Sequence, residues 1–250
     1  MVVISHKHKF IIFKSYKTGS TTIEDFFSSV LKKNLNSNEY IAGKYKMTNG
    51  NIITKHITPD ELLELMPEIK NYYKICPIRN PFNQIVSCYI HNNKKIPNEN
   101  ELSQYINNCK YHPHEFKTIK KQYRHLKTYY SYANYHEKEC IDFFIKLESL
   151  REDITQLLTM FNIRNYNLNL IGNCRTSKLK YKIEDVYSQN NIKLVEEVFK
   201  EEIQLGNYQF PAKKPAILSE SKKEDTADFQ TELSMRNKET SSDLQEEKEN

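Results

Sequence analysis

The stretch Phe10–Lys33, FIIFKSYKTGSTTIEDFFSSVLKK, decides the fold of this chain. It opens with the apolar run Phe10–Phe13, which is typical of a short buried strand. Residues 14–22 follow and contain two lysines, one glycine and mostly hydroxyl side chains. Large apolar residues then recur at helical spacing, namely Ile23, Phe26, Phe27, Val30 and Leu31. The pattern predicts a strand, a polar turn and an amphipathic helix in succession.

A turn of this kind is suited to binding an anion. The first N–H groups of a helix have no partner within the helix, and the positive helix end attracts phosphate or sulfate. Hydroxyl groups donate hydrogen bonds, and lysine adds a full charge. The same residues also fit an ordinary strand-to-helix turn, in which Ser20 or Thr21 caps the helix and Glu24 completes a capping box. A Walker A loop is not matched, because Lys17 precedes Gly19 instead of following the second glycine of GxxxxGK[ST].

Length and composition indicate one α/β domain with a large polar surface. The chain has 250 residues, of which 38% are hydrophobic, and its net charge is +5. Residues 211–250 hold seven Lys/Arg and ten Asp/Glu, a net charge of −3, so residues 1–210 carry +8. A basic body suits a polyanionic ligand such as a nucleotide or nucleic acid. The last 40 residues have few large apolar side chains, which predicts a disordered charged tail over 211–250 and a domain over 1–210.

The chain shows no sign of export or membrane insertion. No apolar run approaches 18 residues, and the N-terminus lacks the apolar region and cleavage site of a signal peptide. The odd number of cysteines and the absence of CxxC argue against a disulfide framework and a zinc site. We therefore expect reduced thiols and a cytoplasmic location. The five cysteines are Cys76, Cys88, Cys109, Cys140 and Cys174.

A second strand–turn–helix unit follows at Tyr72–Arg79, YYKICPIR, and Asn80-Pro81. The helix after it again has apolar residues at helical spacing, and Arg79 stands at the end of the strand. In an open parallel sheet, ligands bind beyond the carboxyl ends of the strands. The Lys17 turn and Arg79 are both expected there, where an arginine can bind phosphate with two N–H groups.

The two units together resemble the 3′-phosphoadenylyl-sulfate (PAPS) dependent sulfotransferases, in particular the branch acting on carbohydrates. That family opens with a strand, a loop of the form PKTGST and a helix, and its second signature is a strand ending in R[ND]P with a serine eight residues after the arginine. Here these are KTGST at 17–21 and RNPFNQIVSCY at 79–89, with Arg79 and Ser87 in register. A strand over 141–147 followed by Glu148-Ser149-Leu150, and the closing segment 206–210, extend the resemblance over residues 8–210.

The resemblance implies a P-loop-NTPase-like sulfotransferase fold: one domain with a central parallel sheet flanked by helices. It also implies that the sulfuryl group of PAPS moves in line to a hydroxyl of an acceptor, a saccharide in particular, without a metal or a nucleic-acid partner. Lys17 would stabilise the bridging oxygen, and Arg79 and Ser87 would bind the 3′-phosphate. The residues expected to hold the 5′-phosphosulfate are Lys17, Thr18, Gly19, Ser20, Thr21 and Thr22.

The catalytic base is assigned by order along the chain. His56 lies between the loop helix and the R[ND]P strand, as a histidine does in the related uronyl-type sulfotransferases, and neutral histidine suits proton removal near pH 7. Glu148 is the reserve base, although a structural role at the strand end fits it better. Arg175 and Lys180 are basic residues that would reach the nucleotide or form a solvated face.

Two departures from the family pattern concern the site. Tyr16 replaces the usual proline before the lysine, which is expected to loosen the loop, and Pro77 lies inside a predicted central strand, where it removes an N–H. Two other functions also remain open: a non-catalytic nucleotide or nucleic-acid binding module, and a kinase-like phosphotransferase. A metal site is not expected at Cys109, His112, His114 and Glu115, because Pro113 separates the histidines and no second ligand pair follows.

The remaining segments are assigned from local signals. Thr58-Pro59 begins a helix, further helices are expected over 92–139 including one near 115–132, and a last helix is predicted over 188–205. The loops at 34–55 and 92–139 are where acceptor specificity is expected.

Overall fold

A computed structural model describes residues 2–42, 45–46, 52–53, 57, 59–111, 134–135, 138–139, 141–172 and 179–210. The predicted tail at 211–250, the helix predicted near 115–132 and His56 lie outside these residues. Within the described part the predicted α/β architecture is confirmed, with a five-stranded sheet between helices. Its strands are β1 Val3–Ser5, β2 Phe10–Ile12, β3 Tyr40–Ala42, β4 Tyr45–Lys46, β5 Ile52–Ile53, β6 Tyr73–Ile78, β7 Asn134–Tyr135, β8 Lys138–Glu139 and β9 Phe143–Lys146.

The main sheet has the order β3-β1-β2-β6-β9. β2, β6 and β9 are the parallel strands predicted from the sequence, with Phe10 opposite Tyr73 and Ile75 opposite Phe143. β1 and β3 run antiparallel and extend the sheet on the β2 side. These two strands were not predicted, because three-residue strands such as Val3–Ser5 are too short to show a period.

Helices cover both faces of the sheet. They are α1 Ser20–Asn34, α2 Pro59–Leu65, α3 Pro81–Asn93, α4 Glu99–Tyr111, α5 Leu150–Met160, α6 Gln189–Val198 and α7 Lys200–Gly206. Alternate strand residues point to opposite faces, so Phe10 and Ile75 pack with Phe27 and Leu157 on one face, whereas Ile11 packs with residues of α2 on the other. A third core cluster joins α3, α4 and α6.

The single helix predicted over 188–205 is wrong, because the structure has two helices there. Phe199 separates α6 from α7 and leaves helical geometry, with φ −115° and ψ 30°. Its side chain is buried in the third core cluster. The break thus falls at a residue of the inward-facing apolar pattern, which the periodicity of the sequence does not reveal.

Pro77 fits within β6 without disturbing the sheet. The carbonyl of Ile75 accepts a hydrogen bond from Phe13 N–H (2.8 Å), so alternate residues of β6, including Pro77, face β2. β2 ends at Ile12, and the Pro77 carbonyl instead accepts a hydrogen bond from the Ser15 hydroxyl. The N–H that Pro77 lacks would therefore point past the last residue of β2.

Candidate active site

The three parallel strands end at one edge of the sheet, and each is followed by a polar or charged group. β2 leads into the loop 13–19 and α1, β6 leads to Arg79, and β9 leads to Glu148. This is the edge at which open parallel sheets bind ligands. The topology therefore brings together residues that are far apart in the sequence.

Hydroxyl groups within the loop bind the loop itself. Ser20 Oγ donates to Ser15 O at 2.7 Å, and Thr18 Oγ1 lies 2.8 Å from Ser15 Oγ. Ser15 and Thr18 are completely buried. In this conformation the side chains of Thr18 and Ser20 fix the loop, so its backbone N–H groups are the donors best placed for an anion.

The start of α1 does not have the capping box that the sequence also allowed. Gly19, at φ 75°, is the N-cap, no side chain caps the helix, and its first turn has no acidic residue. Glu24 instead forms a buried ion pair with Lys14, whose side chain is 11% exposed against 8% for Glu24. An uncapped helix end without a nearby carboxylate remains electropositive, which favours the anion-binding interpretation.

Gly19 also allows a close approach between the loop and the end of β9. A Cβ atom at this position would lie 2.5 Å from Leu147 Cδ1. The left-handed backbone strains any residue with a side chain at this position, and an added Cβ would also require the Leu147 side chain to shift. The loop thus packs directly against the turn that follows the third parallel strand.

Two side chains from the second strand–turn–helix unit, Arg79 and Gln84, donate hydrogen bonds to the loop 13–19. Arg79 donates from Nη1 to Lys17 O at 3.1 Å, and Gln84 of α3 donates from Nε2 to Tyr16 O at 2.7 Å. These bonds fix two consecutive backbone carbonyls of the loop. The expectation that Tyr16 loosens the loop stays a prediction, because this bond involves the backbone carbonyl of Tyr16 and not its side chain.

The positive charges of Lys17 and Arg79 both affect the pKa of a buried thiol on α3, that of Cys88. Burial raises the pKa of the Cys88 thiol to about 12, and the positive charges of Lys17 and Arg79 oppose this increase. Ser87, the neighbour of Cys88, is half-buried on the same helix. The structure thus places the predicted residues Lys17 and Arg79 together, near the helical segment that contains Ser87.

Two other predicted site residues, His56 and Arg175, lie outside the described residues, and Lys180 is exposed. Among the described residues, no group of three His, Cys, Asp or Glu side chains is arranged to bind a metal. The helices of the described chain include none with the length and apolar character needed to cross a membrane.

Two further residues at this edge, Asn80 and Tyr208, were not predicted from the sequence. Asn80 Oδ1 accepts a hydrogen bond from Phe82 N–H (3.1 Å), which caps α3, and Asn80 N–H donates to Glu148 Oε1 (2.9 Å). Tyr208 O–H donates to Glu148 Oε2 at 3.4 Å. The Asn-Pro pair signals a helix cap, but no local signal connects position 80 with positions 148 and 208.

Comparison with models of known protein families gives a match over most of the chain. The model of the sulfotransferase family matches residues 1–209, which include all described residues at this sheet edge except Phe210. No curated protein and no solved structure has a significant match to the chain.

Proposed function

The chain belongs to the sulfotransferase family, and from this premise we propose that it transfers the sulfuryl group of PAPS to a hydroxyl of an acceptor, in particular a carbohydrate. The observation that supports this most is the hydrogen bond from Arg79 Nη1 to Lys17 O at 3.1 Å. It joins the two sequence units that in this family bind the two ends of the donor. A sulfuryl donor with a 3′-phosphate presents anionic groups at both places.

The described residues fit such a donor. The N-terminus of α1 has unpaired helical N–H groups by its geometry, no acidic residue in its first turn and Gly19 at its cap. The backbone N–H groups of residues 18–22 bind the 5′ end, and the Lys17 ammonium group stabilises negative charge that grows on the bridging oxygen. Arg79 and Ser87 bind the 3′-phosphate.

The proposed reaction needs positioning and charge more than covalent chemistry from the protein. PAPS supplies an activated sulfuryl group with adenosine 3′,5′-bisphosphate as the leaving group. Lys17 and the α1 N-terminus hold that group in line with the acceptor hydroxyl. His56 is the proposed base that removes the acceptor proton, and its assignment depends on its order in the sequence alone. A cytoplasmic location is part of the same proposal.

Isothermal titration calorimetry tests the donor assignment. Adenosine 3′,5′-bisphosphate should bind the full chain at least about tenfold more tightly than ADP, because one lost charged phosphate contact is worth roughly that factor. Arg79→Ala should remove this preference, whereas Arg164→Ala, an exposed arginine outside the site, should leave it unchanged. Equal affinities, or no binding of the bisphosphate, would refute the proposed function.

Incubation with ³⁵S-labelled PAPS and a panel of saccharide and other hydroxyl acceptors tests transfer. Labelled acceptor is the expected product. Binding of the bisphosphate without transfer to any acceptor would favour a non-catalytic nucleotide-binding module, and phosphate transfer from ATP would favour a kinase-like enzyme. A labelled product other than a saccharide would keep the sulfotransferase assignment and replace the acceptor class.

A further inference from the structure

Both carboxylate oxygens of Glu148 have partners from other parts of the chain. Oε1 accepts a hydrogen bond from Asn80 N–H at 2.9 Å, and Oε2 accepts one from Tyr208 O–H at 3.4 Å. Glu148 lies in the short helical turn directly after β9, at the same sheet edge as Lys17 and Arg79. One side chain therefore joins the ends of β6 and β9 to the segment that follows α7.

Asn80 is the residue through which this contact reaches the site. It directly follows Arg79, its Oδ1 caps α3 through Phe82 N–H, and its Nδ2 donates to Gln209 O at 3.1 Å. The backbone N–H, the side-chain oxygen and the side-chain nitrogen of Asn80 are all engaged. The orientation of the turn that contains Arg79 is thus fixed by three hydrogen bonds.

The Tyr208 ring lies close to two other residues, Gly206 and Lys146. Gly206 lies so close to the ring that a Cβ atom there would overlap Tyr208 Cε2. On the strand side, Lys146 Nζ lies 5.9 Å from the ring centroid. Burial is the main cause of the raised pKa of Tyr208, and the Glu148 carboxylate raises it further, so the phenol stays protonated and able to donate.

We propose that Glu148 is a positioning residue that fixes Arg79 for donor binding by holding Asn80 N–H and Tyr208 O–H at the same time. Arg79 in turn holds the Lys17 carbonyl, so the effect of Glu148 extends to the loop that binds the other end of the donor. This inference rests on the proposed function for the identity of the ligand. It does not require Glu148 to touch the ligand or to exchange a proton.

A substitution distinguishes this role from that of a general base. Each Glu148 oxygen accepts one hydrogen bond from the protein and keeps a second lone pair, so the contacts alone do not separate the two roles. A base must also take up the proton of the acceptor. A neutral amide can replace a carboxylate in such a network, because its oxygen can accept from Asn80 N–H and its nitrogen can donate to the Tyr208 oxygen. The same substitution would inactivate a general base, because an amide does not take up the acceptor proton.

Calorimetry with adenosine 3′,5′-bisphosphate on the full-length protein tests the proposal. Glu148→Ala should weaken binding about tenfold, the size expected for losing hydrogen bonds that orient a charged ligand-binding group. Glu148→Gln should stay within about threefold of the wild-type affinity, and Tyr208→Phe should fall between the two. Glu152→Ala, which changes an exposed carboxylate on the next helix, is the matched control.

Amide hydrogen exchange provides a readout independent of the ligand. Glu148→Ala should increase exchange in peptides covering 13–20 and 79–84, and Glu148→Gln should not. If the wild-type protein binds no bisphosphate, the proposed function fails. The amide hydrogen exchange measurements then test the positioning role of Glu148 by themselves. Wild-type affinity in Glu148→Ala, or wild-type exchange in both segments, would overturn the proposal. If Glu148→Ala does not fold, the proposal would be overturned by wild-type affinity and wild-type hydrogen exchange in Tyr208→Phe.

Discussion

Lys17 has a left-handed backbone conformation, φ 59°, that residues with side chains adopt rarely. Lys9 adopts a similar φ in the turn between β1 and β2, Lys94 adopts one as a helix C-cap, and the other three described cases are asparagines, which tolerate it best. Lys17 is at none of these kinds of position. Its conformation is maintained by the hydrogen bond from Arg79 to its carbonyl. A strained lysine at the ligand-binding edge of a sheet is consistent with selection for function over stability.

Lys17→Ala tests the role of the ammonium group. If Lys17 stabilises charge on the leaving oxygen, turnover with labelled PAPS should fall by about 10²–10³-fold or more, because single electrostatic stabilisers contribute that much. The melting temperature should change little, since alanine retains the backbone groups that contact Arg79. Lys33→Ala removes an exposed lysine at the end of α1 and should retain full turnover. Wild-type turnover in Lys17→Ala would exclude the assigned role.

Gly19→Ala tests the close contact between the loop and β9. The left-handed backbone costs a non-glycine residue about 1–2 kcal/mol, and the new Cβ would meet Leu147 Cδ1. Urea unfolding should show a loss of this size or larger. Part of the loss should disappear when the substitution is made in a Leu147→Ala background, because that change removes the contact but not the backbone strain. Equal losses in both backgrounds would mean that Leu147 does not contribute.

The sequence predicted that Lys17 and Arg79 lie at the same edge, but not how they contact each other. Lys17 and Arg79 were placed there because each follows a predicted parallel strand. The hydrogen bond between them depends on the register of β2 against β6, which no local pattern specifies. Glu24 fitted the spacing of a capping box, yet its carboxylate binds Lys14. A long-range ionic partner outweighed the local one.

At the scale of secondary-structure elements, the buried ion pair of Lys14 and Glu24 joins the end of β2 to the second turn of α1. Removing one member leaves a buried charge without its partner, which typically costs about 3–5 kcal/mol. Glu24→Gln should therefore lower the free energy of unfolding by about 3 kcal/mol in urea titrations. The double variant Lys14→Met/Glu24→Leu should recover most of that loss, because apolar pairs often replace buried ion pairs without cost.

The exposed pair formed by Lys95 and Glu101 is the control for this comparison. Glu101→Gln should change the unfolding free energy by less than about 1 kcal/mol, as is usual for surface ion pairs. A loss as small as this in Glu24→Gln would show that the buried pair contributes little to stability. A double variant less stable than Glu24→Gln would show that the ionic interaction itself is required.

The turn between β1 and β2 predicts a pH-dependent stability. Burial lowers the pKa of both His6 and His8. Glu68 partly opposes the shift at His6 and Lys9 adds to it, whereas Lys7 adds to the shift at His8 and Glu39 opposes it. Because the unfolded chain binds more protons at mildly acidic pH, stability should be full above pH ~6.5 and fall below it.

Thermal unfolding at pH 7.5 and pH 5.5 measures this effect. The wild-type melting temperature should be lower at pH 5.5, and His6→Gln/His8→Gln should show a smaller difference between the two conditions. His91→Gln, at an exposed position in the last turn of α3, should keep the wild-type difference. The same pH dependence in the double histidine variant would place its source elsewhere in the chain.

The elements with long apolar periods were predicted correctly, and the exceptions have physical causes. α1, β6 and α3 have patterns long enough to show their period. β1 and β3 have three residues each, so their pairing depends on the neighbouring strand. The break at Phe199 interrupts a continuous apolar period, so the pattern of apolar residues does not reveal it.

At the scale of the whole molecule, the last described residues return to the sheet edge where the site lies. Gln209 O accepts a hydrogen bond from Asn80 Nδ2, and the Phe210 ring lies 5.1 Å from Phe82 and 5.3 Å from Tyr187 between ring centroids. The family model ends at residue 209. The domain boundary after residue 210, expected from the change of composition at residue 211, stays a prediction, and these contacts give it a structural rationale.

Two truncations separated by three residues test this boundary. A chain ending at Phe210 should keep the melting temperature and the affinity for adenosine 3′,5′-bisphosphate of the full chain.

A chain ending at Asn207 loses the Tyr208 hydroxyl, the Gln209 carbonyl and the Phe210 ring. Loss of a packed aromatic ring alone costs about 3 kcal/mol, and for a chain of this size each kcal/mol lowers the melting temperature by roughly 2–4 °C. Because Asn80 also loses a partner, binding should weaken more than about tenfold. Equal stability and affinity of the two truncated chains would show that the sheet edge and the turn containing Arg79 are maintained without residues 208–210.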